Sequence, residues 1–313
     1  MAAGGLVGLS AMLPCRAAQA PGGMRPATRF PAMASRFIAP RDIRIWLPDA
    51  WHEAGRPVPV VYINDLASLP VSDGPWHDAS GPNGQIAALA AAALSWPAIV
   101  VGIARSTTAL RDYAPALPLA ECTNALREQL EAALGGPSLS DSYLKFIVAE
   151  LKPTIDRCFA TASARRHTFI AGAGLAGLVS LYALTRYPGV FGGAASLSTE
   201  EILIPPEGID PLASTAWQKA LGFGIERYLT RTLPPARTHR LYIDYSNPDV
   251  DALSRPLRSA VERAAVAKGY RRHRDFESLS LTPSDRTEQG RRERADIAAW
   301  LLLKAGFDPP ATD

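Results

Sequence analysis

From residue 37 onward, the apolar positions follow two alternating rhythms. The stretch "FIAPRDIRIWLP" (37–48) alternates apolar and polar residues and stops at Pro48, which predicts an edge strand. "VPVVYIND" (58–65) and "AIVVGIA" (98–104) are continuous apolar runs, the pattern of strands covered on both faces. Between them "NGQIAALAAAALSW" predicts a helix. Two further helices are expected over 121–134 and 141–158, the second with Leu144, Ile147, Val148 and Leu151 on one stripe. The alternation continues through strand 167–172, helix 175–187, strand 192–198 and helix 212–231. Strand 239–246, helix 251–267, strand 276–283 and helix 288–305 complete it. Such alternation predicts an α/β architecture, a mostly parallel sheet with helices on both faces. With no Pro/Gly linker inside it, 37–308 reads as a single domain, 1–36 as an N-terminal extension and 309–313 as a tail.

Composition narrows this picture only modestly. Of 313 residues 47% are hydrophobic and 20% charged, enough for a sizeable core. The formal charge of +3 is too small a bias to argue for nucleic acid or an anionic membrane. Arg271, Arg272 and Arg274, like Arg291, Arg292 and Arg294, alternate with acids and read as a solvated face. The apolar run Leu6 to Leu13 ends in small residues, as a signal peptide does, yet no basic residue precedes it and Pro21 would follow the cut. Two readings stay open: export through a signal peptide, or a cytoplasmic protein with a disordered extension or a later start at Met24 or Met33. The run is too short to span a membrane. Cys122 and Cys158 have no metal-ligand spacing and read as buried thiols, with a disulfide between them open only to an exported protein.

The chemistry turns on "FIAGAGLAGLVSLYALTRYPGVFGGAASLS", Phe169 to Ser198. Gly172, Gly174 and Gly177 spell G-x-G-x-x-G between a strand and a helix, a dinucleotide (FAD/NAD) fingerprint with Glu200 and Glu201 downstream. That motif normally opens its fold, whereas here several strands and helices precede it. The same turn also reads as a hydrolase nucleophile elbow, G-x-S-x-G, with Gly174 at the serine position.

The second reading draws on the whole chain. "PRDIRIWLPDAW", "VPVVYINDL", "PAIVVGIARST" followed by "RDYAP", "FIVAELKPTIDRCFAT" and the elbow block occur in order. Together they resemble the Putative esterase family of α/β hydrolases, the esterase D and feruloyl-esterase type. The resemblance implies an α/β-hydrolase fold, no cofactor, and a small acyl or anionic ligand in the cleft.

It also implies a triad, and two members are replaced. The nucleophile position falls on Gly174 and the base position on Arg286, where the family has histidine. The acid position falls on Asp249, with Asp244 and Asp251 beside it. Glu288 and Arg294 keep the pattern around the base, but Arg291 stands where tryptophan is expected. The oxyanion-hole backbone positions fall on Leu66, which replaces a glycine after Asp65, and Leu175, with Gly172 opening the elbow. Arginine has no lone pair with which to accept a proton. The expectation is therefore a degenerate site that binds a ligand or partner, with an active hydrolase of non-standard site and a dinucleotide binder as alternatives. Ser180, Ser196, Ser198, His167 and His239 read as packing or capping residues. His52, His77 and His273 read as loop residues, with His77 and Asp78 near the cleft side.

Overall fold

A computed structural model describes residues 28–48, 57–65, 81–198, 211–245, 251–280 and 287–307. Its frame is one eight-stranded sheet in the order β1-β2-β4-β3-β5-β6-β7-β8. The strands are β1 (Thr28–Met33), β2 (Arg41–Trp46), β3 (Val60–Asn64), β4 (Ile99–Ile103), β5 (Thr168–Ala173), β6 (Gly193–Leu197), β7 (Arg240–Tyr245) and β8 (Phe276–Ser280). β2 runs antiparallel to β1 and β4, and every other pairing is parallel.

The continuous apolar runs are explained by burial on both sides. Along β3, Val60 and Tyr62 join one core cluster while Val61 and Ile63 join the other. Helices α1 (Gly81–Ser95) and α10 (Glu288–Phe307) pack against each other over the second cluster. The opposite face is covered by α5 (Ser140–Phe146), α6 (Lys152–Cys158), α7 (Leu175–Arg186), α8 (Pro211–Thr232) and α9 (Asp251–Ala267). Short helices α2 (Ala109–Tyr113) and α3 (Ala116–Ala120) lead into α4 (Asn124–Leu134).

Four features differ from the sequence reading. Residues 28–33, assigned there to the extension, form β1, whose Phe30 and Met33 are buried. β2 is consequently an interior strand and β1 the edge. The helix read over 141–158 contains a π turn, Ile147–Leu151, between α5 and α6. Pro153, which has no N–H to offer the preceding turn, stands two residues beyond it, and the wide turn absorbs that defect. Finally, Cys158, expected as a buried thiol, is disulfide-bonded, while Cys122 is a half-buried free thiol, so the two do not pair with each other. No helix among the described residues is long and apolar enough to cross a membrane.

Candidate functional site

All six parallel strands end on the same side, so the elbow shares one rim with the last residues of β3, β4, β6 and β7. Gly174 joins β5 to α7 with φ 56° and ψ −126°. Residues with a Cβ are strained in this positive-φ conformation, and glycine adopts it at little cost. The turn is well anchored. Gly174 N–H donates to Leu197 O at 2.8 Å, while the N–H groups of Gly177 and Leu178 donate to Gly174 O at 3.1 and 3.2 Å.

Crowding explains the outer glycines. A Cβ at Gly172 would lie 2.3 Å from Ala176 O, where α7 crosses back over β5. One at Gly177 would lie 2.5 Å from Ser196 Oγ and 2.9 Å from Gly172 O. The G-x-G-x-x-G spacing is therefore what a tight strand-to-helix crossing requires at its ends, with a further glycine at the apex. Leu175 follows as the half-buried first residue of α7. Leu66, Asp249 and Arg286 lie outside the described residues, as do His52, His77, Asp78, Glu200 and Glu201.

Two buried polar networks brace this rim, and sequence reasoning did not find either. Asn64, ending β3, donates through Nδ2 to Ser180 Oγ (2.9 Å) and accepts from Tyr143 OH at 2.6 Å. Ser180 Oγ in turn donates to Ala176 O in the first turn of α7 (2.8 Å). Burial pushes the Tyr143 phenol well above its ordinary range, so it remains a neutral donor. At the end of β6, Ser198 (φ 47°) gives its N–H to Asp244 Oδ1 at 2.8 Å and its hydroxyl to Gln85 Oε1 at 2.6 Å. Tyr242 OH donates to the other Asp244 oxygen at 3.0 Å. Asp244, weighed in the sequence beside the expected acid position, is completely buried in this scaffold. Separations of 79, 116 and 46 residues leave no local pattern from which these contacts could be read.

The rim above β3 and β4 is charged. Asp65 adopts φ 67° and pairs with Arg105 at 3.2 Å, the arginine side chain being half exposed. Behind it Arg41 and Asp112 form an ion pair at 2.7 Å, each side chain 1% exposed. Ser106 Oγ and Thr108 Oγ1 donate to the same carboxylate oxygen at 2.8 and 2.9 Å, which pins the loop after β4. Both partners sit in quoted blocks, Arg41 in "PRDIRIWLP" and Asp112 in "RDYAP", without any signal of their pairing.

Of the other serines and histidines weighed in the sequence, those among the described residues lie away from the rim or within the core. Ser180 and Ser196 are fully buried. His239, at the start of β7, hydrogen-bonds Thr238 Oγ1 and Pro188 O at 2.9 Å each. His273 is exposed and pairs with Glu277 at 3.0 Å. Among the described residues no group of His, Cys, Asp or Glu is arranged to hold a metal ion.

Residues 35–221 match the family model described as "Putative esterase". The chain belongs to the Putative esterase family. No curated protein sequence matches it significantly. Solved structures similar to this family member include an IroE-like serine hydrolase from Shewanella oneidensis, with a TM-score of 0.54 and 18% identity over 88% of this chain and 79% of that one. The enterochelin esterase from Shigella flexneri matches with a TM-score of 0.54 and 15% identity, covering 90% of this chain and 60% of the other. The Shigella flexneri enterobactin esterase solved with enterobactin gives 0.53 and 16%, with the same two coverages. The chain thus spans less than two thirds of the length of these two esterases. At such identities the likeness concerns the fold, and the fold is that of the α/β hydrolases.

Proposed function

We propose that this Putative esterase family member does not hydrolyse esters and acts by binding a small acyl or anionic ligand, or a partner, at its cleft. The observation that carries this reading is Gly174. The elbow backbone is intact, at φ 56° and ψ −126°, and the residue at its apex has no side chain to acylate. Acyl transfer on this scaffold needs a nucleophile activated by a neighbouring base. The resemblance read in "PSDRTEQGRRER" aligns Arg286 with the base position, and a guanidinium cannot take a proton. Because triad members act as a unit, the loss of the first makes the second dispensable, which accounts for both changes together. The esterases of similar fold suggest an ester-bearing small molecule as the ligand class, and the N-terminus of α7 favours a negative group on it.

Fold membership alone would favour an active hydrolase, but activity resides in the site. Hydrolysis of p-nitrophenyl acetate by the full chain decides between the two. The expected rate equals that of a heat-denatured sample of equal concentration. Turnover that rises in proportion to protein and co-elutes with its gel-filtration peak would overturn the proposal.

A further inference from the structure

The opposite edge of the sheet gathers arginines that are far apart in sequence. Gly192 N–H donates to Thr168 O (2.8 Å), Arg240 N–H to Gly192 O (2.9 Å) and Leu241 N–H to Asp275 O (3.0 Å). The starts of β5, β6, β7 and β8 therefore stand in one row. Arg165 and Arg166 form the turn before β5, and a Cβ on Gly192 would lie 2.5 Å from Arg165 O, so this turn packs directly against the start of β6. Arg237 lies in the turn before β7, and Arg240 Nη1 donates to Arg274 O at 3.2 Å, joining β7 to the turn before β8.

The apparent charge balance of "RRHRDFE" (271–277) does not survive folding. Asp275 and Glu277 are buried, whereas Arg271, Arg272, His273 and Arg274 are exposed. Arg272 pairs with Glu262 at 3.0 Å, His273 with Glu277, and Arg274 distantly with Asp275 at 3.9 Å. Among the described residues, Arg165, Arg166, Arg237, Arg240 and Arg271 have no carboxylate within ion-pair distance. Among the described residues these five guanidinium groups therefore line one edge without a carboxylate partner, Arg166, Arg237 and Arg271 exposed and Arg165 and Arg240 half-buried.

We propose that this edge is a docking strip for an acidic polypeptide segment of a partner protein. Neighbouring strands lie about 4.8 Å apart, so the row spans about 14 Å, which an extended peptide covers in four or five residues at about 3.3 Å each. Carboxylates on alternate residues of such a segment would face the row. Arginine forks suit them, since each guanidinium can hold a carboxylate through two parallel hydrogen bonds. Clustered arginines are a general means of recognising acidic motifs. The described part of the row lacks the exposed aromatic platforms on which single-stranded nucleic acid stacks, since Tyr270 and Phe276 are both buried. The strip lies across the sheet from the elbow, so it stands whether or not the cleft is catalytic.

Fluorescence anisotropy of a labelled eight-residue peptide of alternating Glu and Ser, titrated with the full chain, tests this. The variant R166Q/R237Q/R271Q removes three exposed charges from the row. R36Q/R186Q/R292Q removes three exposed charges elsewhere, so that the two variants carry the same net charge. The expected result is saturable binding, weakened about tenfold or more by the first variant and less than about twofold by the second. Raising salt to about 0.5 M should abolish it. The proposal is overturned by absence of binding to the unmodified chain or by equal weakening in both variants. Tighter binding of phosphatidylserine vesicles or of a single-stranded oligonucleotide than of the peptide would also overturn it.

Discussion

The three glycines of "GAGLAG" answer to different constraints. Gly172 and Gly177 are fixed by crowding against backbone and Ser196, and Gly174 by a backbone conformation that a Cβ would strain. Gly172→Ala or Gly177→Ala forces α7 and β5 apart, and each should lower unfolding stability by about 1–3 kcal/mol in urea titrations. Gly189, in the turn after α7, has open space where a Cβ would stand and no positive φ. Gly189→Ala should leave stability unchanged or raise it by about 0.4–1 kcal/mol by restricting the unfolded chain. His239 titrates out of the ordinary. Burial lowers its pKa below the usual 6.5, and Arg165 adds to the effect. Between the lowered value and 6.5 the unfolded chain binds more protons than the folded one, so stability rises with pH there. The contribution is complete above pH 6.5 and is lost as pH falls through the folded pKa. His239→Gln should flatten this slope in denaturation series run across that range.

At the scale of elements, the sequence is most legible where burial is continuous. β3, β4 and β5 announce themselves because both faces are covered, and α7 because it follows the glycine turn at once. β1 is illegible for a physical reason. "TRFPAM" carries Pro31, and its pairing with β2 shifts between Phe30 and Met33, so the period-2 pattern breaks after three residues. An edge position tolerates the proline. The short helices are likewise held by tertiary partners more than by any periodic stripe, α2 by the Arg41–Asp112 pair and α3 by Ser140, whose hydroxyl accepts from Ala116 N–H at 3.0 Å. Asp112→Ala should cost about 3–5 kcal/mol in chemical denaturation, because it leaves the Arg41 guanidinium buried without its counter-charge. Arg41→Met combined with Asp112→Ala should lose less than the sum of the two single changes.

At the scale of the molecule, the sheet separates two edges of different character. One carries the elbow and its buried braces; the other carries the arginine row. The first was half legible: the order of blocks from Pro40 to Arg294 pointed to the elbow, and Gly174 stands at its apex. The Asn64–Tyr143–Ser180 and Ser198–Asp244 braces were not, because contacts over such separations leave no periodic trace. The row was hidden by apparent neutrality, which depends on which side chains face inward.

The central claim concerns Gly174, and intact-protein mass spectrometry after incubation with a fluorophosphonate probe tests it most directly. A serine activated at any cleft position would form one covalent adduct per chain. The account predicts an unmodified mass after prolonged exposure to excess probe, alongside full labelling of an active serine esterase in the same tube. A stoichiometric single adduct on this chain, removed by prior heat denaturation, would contradict it.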